Sequence, residues 1–394
     1  MTAAVLSVNA GSSSLKFGLY ARDAAGALLG GSIEGLQPGG TPLLRRGGAP
    51  AEALAGDAGE SPFDAALRAL AALIEREAGG HRLVAVAHRI VHGGERCTAA
   101  QPVDDALLAY LETLCPLAPL HQPHNLAGLR AFRRALPAVP QVACFDTAFH
   151  ATIAPLEREF ALPPEFAAQG IRRYGFHGLS YQYLAGVLHE KTRRAAGRVL
   201  MAHLGNGSSA CAMRGGRSLA TSMGFSALDG LMMGTRCGSI DAGVLLHLLR
   251  QGWDADRLED LLYRKSGLRG VSGLSADMRT LRASSEPAAR HAIELYTHRV
   301  VRESGALTAV MGGLDVLAFT GGIGEHDAAL RSAVCEALAP SGVRLDAAAN
   351  AEAVGEEVCA VHAPDSAVEV WVVPTDEGRV AANEAWRLLG RPVA

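Results

Sequence analysis

One sequence pattern occurs twice, near the start of each half of the chain, and it limits the folds that the chain can adopt. Residues 5–17 read VLSVNAGSSSLKF, and residues 199–213 read VLMAHLGNGSSACAM. Each copy is an apolar run, a short turn of Gly, Asn and Ser, and a second apolar run, which predicts two strands joined by a tight turn. The repeat favours a duplicated fold, although two unrelated serine-rich hairpins would give the same pattern.

The turn in the first copy has the chemistry of an anion site. Gly11 is free to take a positive φ, the serines at 12–14 supply hydroxyls, and Lys16 lies just beyond them. Phosphate oxygens need several donors and a cation, so this arrangement suits phosphate binding. It is not a Walker A loop, because in that motif the lysine and the following serine or threonine open a helix. An ordinary serine-rich hairpin is the alternative.

Size and composition narrow the class of protein. A chain of 394 residues, 49% hydrophobic and 20% charged, predicts a soluble globular protein of two domains. A net charge of -3, without a basic run or zinc-ligand spacing, argues against nucleic-acid partners. We expect no membrane span and no signal peptide. The seven scattered cysteines include no Cys-x-x-Cys pair, which predicts reduced thiols and a cytoplasmic protein.

Hydrophobic periodicity and turn residues predict the order of the elements. The predicted strands cover 5–8, 15–20, 83–90, 141–145, 199–204, 210–213, 316–320 and 371–374, and the predicted helices cover 63–78, 105–114, 126–135, 181–193, 286–311 and 378–389. A further helix is predicted to end near residue 250, and another to follow the glycine turn at 321–324. Proline and glycine become frequent at 151–177, which indicates a domain boundary near residue 150.

Charged residues that could take part in binding or catalysis lie at the ends of predicted strands. Arg89 lies at the end of the strand 83–90, and Asp146 directly follows the strand 141–145. In α/β proteins, ligands bind at the carboxyl ends of the strands. A surface arginine and an N-cap aspartate are the alternatives. His177 lies between glycines just ahead of a predicted helix, where it could donate to an anion or serve only the structure.

A glycine turn, Gly321-Gly322-Ile323-Gly324, follows the apolar strand 316–320. Glycines at such a turn allow the backbone to approach a nucleoside closely, although turns of this kind are common. Together with the two hairpins and the carboxylates at strand ends, this turn predicts a nucleotide site with a metal ion.

The chain contains a series of short motifs in the order in which a known protein family has them. They are VNAGSSSLKF, HRIVHGGE, LAPLHQPHN, FDTAFH, RRYGFHGLS, HLGNGSS, MGTRCGSID, FTGGIGE and PTDEG. The chain resembles the acetokinase family, within the acetate and sugar kinase/Hsc70/actin superfamily, from end to end. The resemblance implies an α/β fold of two duplicated ribonuclease H-like (actin-like ATPase) domains with the active site in the cleft between them. It implies an N-terminal domain of 1–150 joined by 375–394, a nucleotide-binding domain of 151–374, and a homodimer.

The implied reaction is the reversible transfer of the γ-phosphoryl group of ATP to acetate, which gives acetyl phosphate and ADP and depends on Mg²⁺ or Mn²⁺. The resemblance assigns catalytic roles to Arg89, His121, Asp146, His177 and Arg236. It assigns metal contacts to Asn9 and Glu377. Phosphate contacts fall on Asn9, Ser12, Ser14, Lys16, His203, Gly205, Asn206 and Gly207, and nucleoside contacts on Asp277, Arg279, Gly321, Gly322, Ile323 and Gly324. The implied acetate pocket consists of Arg89, Val91, Leu120, Phe176 and Ala227.

Several positions depart from the pattern of the family. Ala227 stands where the family commonly has proline in the acetate pocket, which predicts better use of propionate. Thr375-Asp376-Glu377-Gly378 replaces Thr-Asn-Glu-Glu, and the added carboxylate is expected to alter metal affinity. His121-Gln122-Pro123-His124-Asn125 replaces His-Asn-Pro-Pro-Asn.

Rival functions remain at this point. A propionate or butyrate kinase would use the same chemistry in a wider pocket. A sugar kinase would need Asp146 as a base toward a hydroxyl group. A chaperone of the superfamily would need a further substrate-binding domain.

Overall fold

The computed structural model describes residues 2–22, 24, 26–56, 59–77 and 79–390. Its strands are β1 (Ala3–Ala10), β2 (Ser14–Ala21), β3 (Leu29–Glu34), β4 (Leu43–Arg45), β5 (Glu52–Ala53), β6 (Arg82–Ile90), β7 (Gln101–Pro102), β8 (Gln141–Phe145), β9 (Arg198–Leu204), β10 (Ser208–Arg214), β11 (Arg217–Thr221), β12 (Val316–Thr320), β13 (Cys359–Ala360) and β14 (Glu369–Val372).

The α-helices among the described residues are α1 (Pro62–Glu77), α2 (Asp105–Thr113), α3 (Gln122–Ala135), α4 (Pro155–Arg158), α5 (Pro164–Ala168), α6 (Gly178–Lys191), α7 (Ala242–Arg250), α8 (Ala255–Arg264), α9 (Gly267–Ser272), α10 (Met278–Arg282), α11 (Pro287–Met311), α12 (Gly321–His326), α13 (Ala328–Ala337), α14 (Ala347–Glu352) and α15 (Glu377–Leu388).

The chain divides into two compact units. The first unit comprises Met1–Phe149 and Asp376–Ala394, and the second comprises His150–Thr375. The described strands of the first unit form a sheet in the order β5-β4-β3-β2-β1-β6-β8-β7. Those of the second unit form a sheet in the order β11-β10-β9-β12-β14-β13.

The two sheets share one topology. In the first unit, β3, β2 and β1 pair antiparallel, and β6 and β8 extend the sheet parallel to β1. In the second unit, β11, β10 and β9 pair antiparallel, and β12 and β14 extend the sheet parallel to β9. In chain order, the repeated hairpin supplies the first two strands of each sheet, β1 and β2 in the first unit and β9 and β10 in the second. The duplicated α/β fold predicted from the sequence is therefore confirmed.

Apolar periodicity places the helices on these sheets. In the first unit, Leu70 of α1 and Phe132 of α3 pack into one core with the strands β1 and β6, and α15 buries Trp386. In the second unit, Tyr296 and Val300 lie on the buried face of the long helix α11. A helix with one apolar face gains most of its stability from such packing.

Some predicted boundaries are wrong. The helix α3 begins at Gln122 rather than at residue 126, because Pro123 sits in the first turn, where a backbone N–H is not needed. The last strand of the central ladder, β14, spans Glu369–Val372 rather than 371–374, since its register on β12 ends at Val372. The sequence does not predict the helices α4, α5, α8, α9, α10 and α14. Ala78, the predicted end of α1, lies outside the described residues.

The cysteines fit the expected reduced state, since all seven are free. Burial raises the pKa of Cys97 to about 11 and that of Cys211 to about 12, so these thiols are poorly reactive at neutral pH. Among the described helices, not one is both long and apolar enough to cross a membrane.

Candidate active site

The first unit brings two predicted site residues together at one edge of its sheet. The strands β1, β6 and β8 run parallel, so their carboxyl ends lie at the same edge. Arg89 is the penultimate residue of β6. Asp146 follows β8, and its N–H donates to the carbonyl of Ile90 at 3.0 Å. The main chain thus fixes Asp146 beside the end of β6.

Arg89, Asp146 and Glu377 form a charged cluster at this edge. Arg89 donates from Nε to Asp146 Oδ1 at 3.0 Å and from Nη2 to Asp146 Oδ2 at 2.6 Å. Arg89 Nε also lies 3.4 Å from Oε2 of Glu377, the first residue of α15. The Asp146 side chain is only 1% exposed. Both of its oxygens are therefore engaged in holding Arg89.

The same cluster determines the charge state of Arg89. Burial would lower the pKa of the guanidinium, but the charges of Asp146 and Glu377 and the hydrogen bonds to Asp146 outweigh burial and raise the pKa above its ordinary value. Arg89 is thus a permanent cation in a fixed orientation, which suits the recognition of a planar or tetrahedral anion.

Two buried amides that the sequence analysis did not single out as site residues hold the segment after β6. Asn125 accepts from the N–H of Val91 at 3.0 Å and donates to the carbonyl of Ala10 at 2.6 Å. Gln122 accepts from the N–H of His92 and donates to its carbonyl. These bonds tie α3 to the ends of β1 and β6. The signal in the sequence was a pair of amides in the first turn of a helix.

The other predicted residues of the first unit lie around this edge. Asn9 and Lys16 are cross-strand partners in the β1–β2 hairpin, whose turn is closed by the Gly11 N–H donating to the Ser14 carbonyl at 2.8 Å. Lys16 and Ser12 are exposed. Leu120 and His121 immediately precede α3, with His121 as its N-cap residue, and Val91 follows β6.

In the second unit, His177 adopts an unusual conformation. It is the N-cap residue of α6, and among the described residues it is the one non-glycine position with a positive φ, 58°. Left-handed backbone is costly outside glycine and is found where the surroundings impose it. Here His177 Nδ1 bonds to Ser209 Oγ at 2.8 Å, and its ring stacks on His203 at 4.2 Å. The position of Nε2 is thereby fixed.

The second hairpin turn approaches His177 and Arg236. A Cβ added to Gly207 would lie 3.3 Å from His177 Nε2 and 3.8 Å from Arg236 Nη1. A Cβ added to Gly205 would lie 3.9 Å from the backbone nitrogen of Gly322. Within the second unit, the structure therefore brings together the serine-rich hairpin, the histidine, the arginine and the glycine turn, which are all donors for anionic oxygens.

The glycine turn is the start of a helix rather than a separate loop. Gly321, with φ 77°, opens α12 directly after β12. Glu325 Oε1 accepts from the hydroxyl of Thr320 at 3.1 Å, from the N–H of Gly321 at 2.8 Å and from the N–H of Thr375 at 3.2 Å. The carboxylate of Glu325 therefore holds the turn in place.

Arg331 supports the same turn from α13, and sequence reasoning missed it. Its side chain is fully buried and donates five hydrogen bonds. They reach the carbonyls of Gly324, Glu325, Asn350 and Ala353 and the side chain of Asn350. Burial lowers the pKa of Arg331. The available signal was an arginine on the apolar face of a helix, next to Leu330.

Four further predicted residues of the second unit are Arg236, Asp277, Arg279 and Phe176. Arg236 Nη1 donates to the Ala227 carbonyl at 2.8 Å and lies 3.5 Å from Met233 Sδ. Asp277 caps α10 and pairs with Arg279, Nη2 to Oδ2, at 2.6 Å. The hydrogen bond from Arg279 lowers the pKa of Asp277. Phe176, also predicted for the pocket, is buried.

The donor set can be compared with the needs of Mg²⁺. Among the described residues, no group of three or more His, Cys, Asp and Glu side chains could hold a metal ion. Mg²⁺ usually keeps several waters and binds through one or two carboxylates together with substrate phosphates. The side chain of Glu377 is 21% exposed and supplies such a carboxylate. The residues of the first unit therefore fit a magnesium ion that arrives with a nucleotide.

Comparison with known proteins identifies similar sequences and structures. A family model described as the Acetokinase family matches residues 4–383. The acetate kinase of Rhodopseudomonas palustris is 47% identical over 98% of this chain and 99% of that protein. The crystal structure of Porphyromonas gingivalis acetate kinase matches with a TM-score of 0.89 and 36% identity, over 98% of this chain and 100% of that one. A propionate kinase from Francisella tularensis subsp. tularensis matches with a TM-score of 0.89 and 32% identity, over 97% and 98% of the two chains.

Proposed function

The chain belongs to the acetokinase family, and we propose that it catalyses the reversible transfer of the γ-phosphoryl group of ATP to acetate, which gives acetyl phosphate and ADP. The observation that carries the choice of acceptor is the Arg89–Asp146 pair. A carboxylate with both oxygens bound to arginine is a poor base for a sugar hydroxyl. An arginine held in this way suits an acceptor that is already an anion.

Acetate needs no general base. A carboxyl group with a reference pKa near 4 is ionised at neutral pH, so it is already nucleophilic. The catalytic task is to orient two anions for in-line displacement and to compensate the charge on the moving phosphoryl group. Arg89 and Arg236 supply that positive charge, and His177 donates from Nε2 to a phosphoryl oxygen. His121 assists as a second histidine donor.

Phosphate and nucleoside contacts complete the proposal. In the first unit, the proposed phosphate contacts are Asn9, Ser12, Ser14 and Lys16. In the second unit, His203, Gly205, Asn206 and Gly207 contact the ATP phosphates. Asp277, Arg279 and the turn Gly321–Gly324 contact the nucleoside. The exposure of Lys16, Asn206 and Arg279 supports these roles, because a dissociating nucleotide must reach them from solvent.

Glu377 and Asn9 would hold the magnesium ion, with Asp146 orienting Arg89 beside it. The ion supplies charge neutralisation on the nucleotide phosphates when bound. Glu377 is suited to this role because it begins a helix, so its backbone position is fixed by the cap of α15.

Hydroxylamine trapping tests the proposed function. The protein is incubated with Mg-ATP and acetate, propionate or butyrate, and the acyl hydroxamate formed is measured as kcat/KM for each acid. We expect acetate to be the best substrate and propionate to be close behind it. A preference for butyrate would reassign the substrate to longer acids. No hydroxamate from any acid would refute the kinase proposal.

A propionate kinase is the second candidate function, and the presence of Ala227 supports it. Proline in place of Ala227 would fill part of the proposed pocket beside Phe176. We expect Ala227→Pro to lower kcat/KM for propionate relative to acetate by about 10-fold, the lower end of what one methylene is worth in an apolar pocket. The same trapping assay measures the ratio.

Acetate turnover is the internal control for that substitution. Ala227→Pro should retain most of its activity on acetate, which would show that Arg236, bonded to the residue 227 carbonyl, is still in place. An unchanged ratio of propionate to acetate would contradict a role for residue 227 in acid selection.

We also propose that the chain forms a homodimer through α7. None of the described residues of this helix is buried, yet Val244, Leu246 and Leu249 are 41%, 52% and 46% exposed. Ile240, just ahead of the helix, is 43% exposed. Contiguous exposed apolar side chains mark interaction surfaces, and a short helix with little packing is marginal in water. A second copy of the chain supplies the same apolar helix in return.

The double substitution Leu246→Glu/Leu249→Glu tests the dimer. We expect it to convert a dimer into a monomer in light scattering coupled to size-exclusion chromatography, because four charges would meet at a symmetric contact. Leu28→Glu, at a residue 42% exposed in the first unit, is the control and should leave the mass unchanged. A dimer that survives both changes would place the contact elsewhere.

A further inference from the structure

Tyr20, the penultimate residue of β2, is buried in a slot formed by two glycines. A Cβ on Gly18 would lie 2.7 Å from Tyr20 Cε2, and a Cβ on Gly378 would lie 2.4 Å from Tyr20 Oη. Any larger residue at either position would displace the ring. Arg379 lies over the ring, with Cζ 4.8 Å from its centroid. We call Tyr20, Gly18 and Gly378 the tyrosine slot.

The hydroxyl in this slot holds the residue that caps α15. Tyr20 Oη donates to Asp376 Oδ1 at 2.7 Å. The same oxygen accepts from the backbone N–H of Arg379 at 2.9 Å, the bond that caps the helix. Strand β2 is thus joined to the first turn of α15 through one carboxylate oxygen. Asp376 stands where the family has Asn, and its carboxylate therefore accepts hydrogen bonds from groups of this chain itself.

Glu377 stands between these contacts and the charged cluster. It follows Asp376 directly, begins α15 and lies 3.4 Å from Arg89 through Oε2. A helix cap fixes the backbone of the first turn, and a group that orients a metal ligand affects metal affinity although it does not touch the metal.

We propose that Tyr20 is a positioning residue for Glu377, acting through Asp376, and that the tyrosine slot controls the affinity of the enzyme for the metal–nucleotide complex. The inference rests on the proposed function, because it takes Glu377 to be the magnesium contact. It accounts for the glycine in Thr375-Asp376-Glu377-Gly378. Asp376 is the acceptor for Tyr20, and Gly378 leaves room for the ring.

Tyr20→Phe tests the proposal with the smallest change, since it keeps the ring beneath Arg379 and removes only the hydroxyl. We expect the Mg²⁺ concentration for half-maximal activity to rise about 10-fold, the lower end of the effect of lost support to a metal ligand. The KM for acetate should stay close to that of the wild type. Binding of Mn²⁺ in the presence of ADP, followed by electron paramagnetic resonance, should weaken by the same factor without turnover.

Companion variants separate positioning from general stability. Asp376→Asn keeps an oxygen acceptor and should stay near the wild type, whereas Asp376→Ala should match Tyr20→Phe. Gly378→Ala should also match Tyr20→Phe, because the new Cβ would displace the tyrosine hydroxyl from Asp376. Tyr110→Phe is the matched control, a tyrosine that also lies beneath an arginine and whose hydroxyl accepts the Arg96 N–H.

The outcomes are distinct. Unchanged Mn²⁺ affinity in Tyr20→Phe and Asp376→Ala, with only a lower melting temperature, would overturn the proposal and leave the slot a structural feature. A metal effect of equal size in Tyr110→Phe would overturn it as well. Absence of acyl hydroxamate from the wild type would overturn the proposed function alone, because the Mn²⁺ measurement does not depend on turnover.

Discussion

Arg89→Ala is expected to lower kcat/KM for acetate by roughly 10³-fold or more, by analogy with arginines that compensate charge in phosphoryl transfer. The wild-type guanidinium is held by both oxygens of Asp146 and approached by Glu377. Its removal takes away the cation and leaves a carboxylate that is 1% exposed without its arginine partner. Steady-state hydroxamate formation with Mg-ATP and acetate measures the loss.

Stability must be separated from catalysis in this variant. Breaking a buried ion pair from one side can cost about 3–5 kcal/mol of unfolding free energy. Arg89→Lys keeps a positive charge beside Asp146 and should fold better, yet it lacks the planar fork and should still lose most of the activity. Thermal unfolding of both variants shows whether the protein measured is folded.

Arg198 offers a matched control for Arg89. It makes the same two-pronged contact, Nε and Nη2 to the carboxylate of Asp315 at 3.0 and 2.6 Å. It stands at the first residue of β9, the opposite end of a strand from the proposed site. Arg198→Ala should affect stability more than turnover. If a folded Arg89→Ala enzyme kept activity within about 10-fold of the wild type, the role of Arg89 in phosphoryl transfer would be wrong.

The sequence predicts that Arg89 and Asp146 lie close together, but it does not predict that Glu377 lies beside them. Parallel strands deliver their carboxyl ends to one edge, so two residues at strand ends can be expected to meet. Glu377 joins them because α15 packs on the first unit after the chain has formed the whole second unit. That return was expected only from the resemblance to a known family, since no local pattern specifies which sheet a terminal helix covers.

The supporting residues show a different limit. Glu325 and Arg331 hold the glycine turn through bonds to backbone groups of Gly321, Gly324 and Thr375. The backbone group to which a side chain bonds depends on how the elements pack, so it cannot be predicted from the residue type alone. Only an arginine on an otherwise apolar helix face hinted that α13 does more than pack. Asp376 is a similar case, because its contact with Tyr20 appears only when β2 and α15 are in place.

Arg236→Ala is expected to cost roughly 10³-fold in kcat, with a smaller effect on ADP affinity measured by calorimetry, because its proposed role is greatest when charge develops on the moving phosphoryl group. The arginine is oriented by the Ala227 carbonyl and lies near Gly207 of the second hairpin. Arg236→Lys should recover little, since an ammonium cannot donate to residue 227 and to a substrate oxygen in the same plane. Arg344→Ala, which breaks an exposed pair with Asp365, is the control for removal of an arginine from the second unit. A loss confined to KM would instead assign Arg236 to uniform substrate binding, and equal losses in Arg344→Ala would assign the effect to net charge.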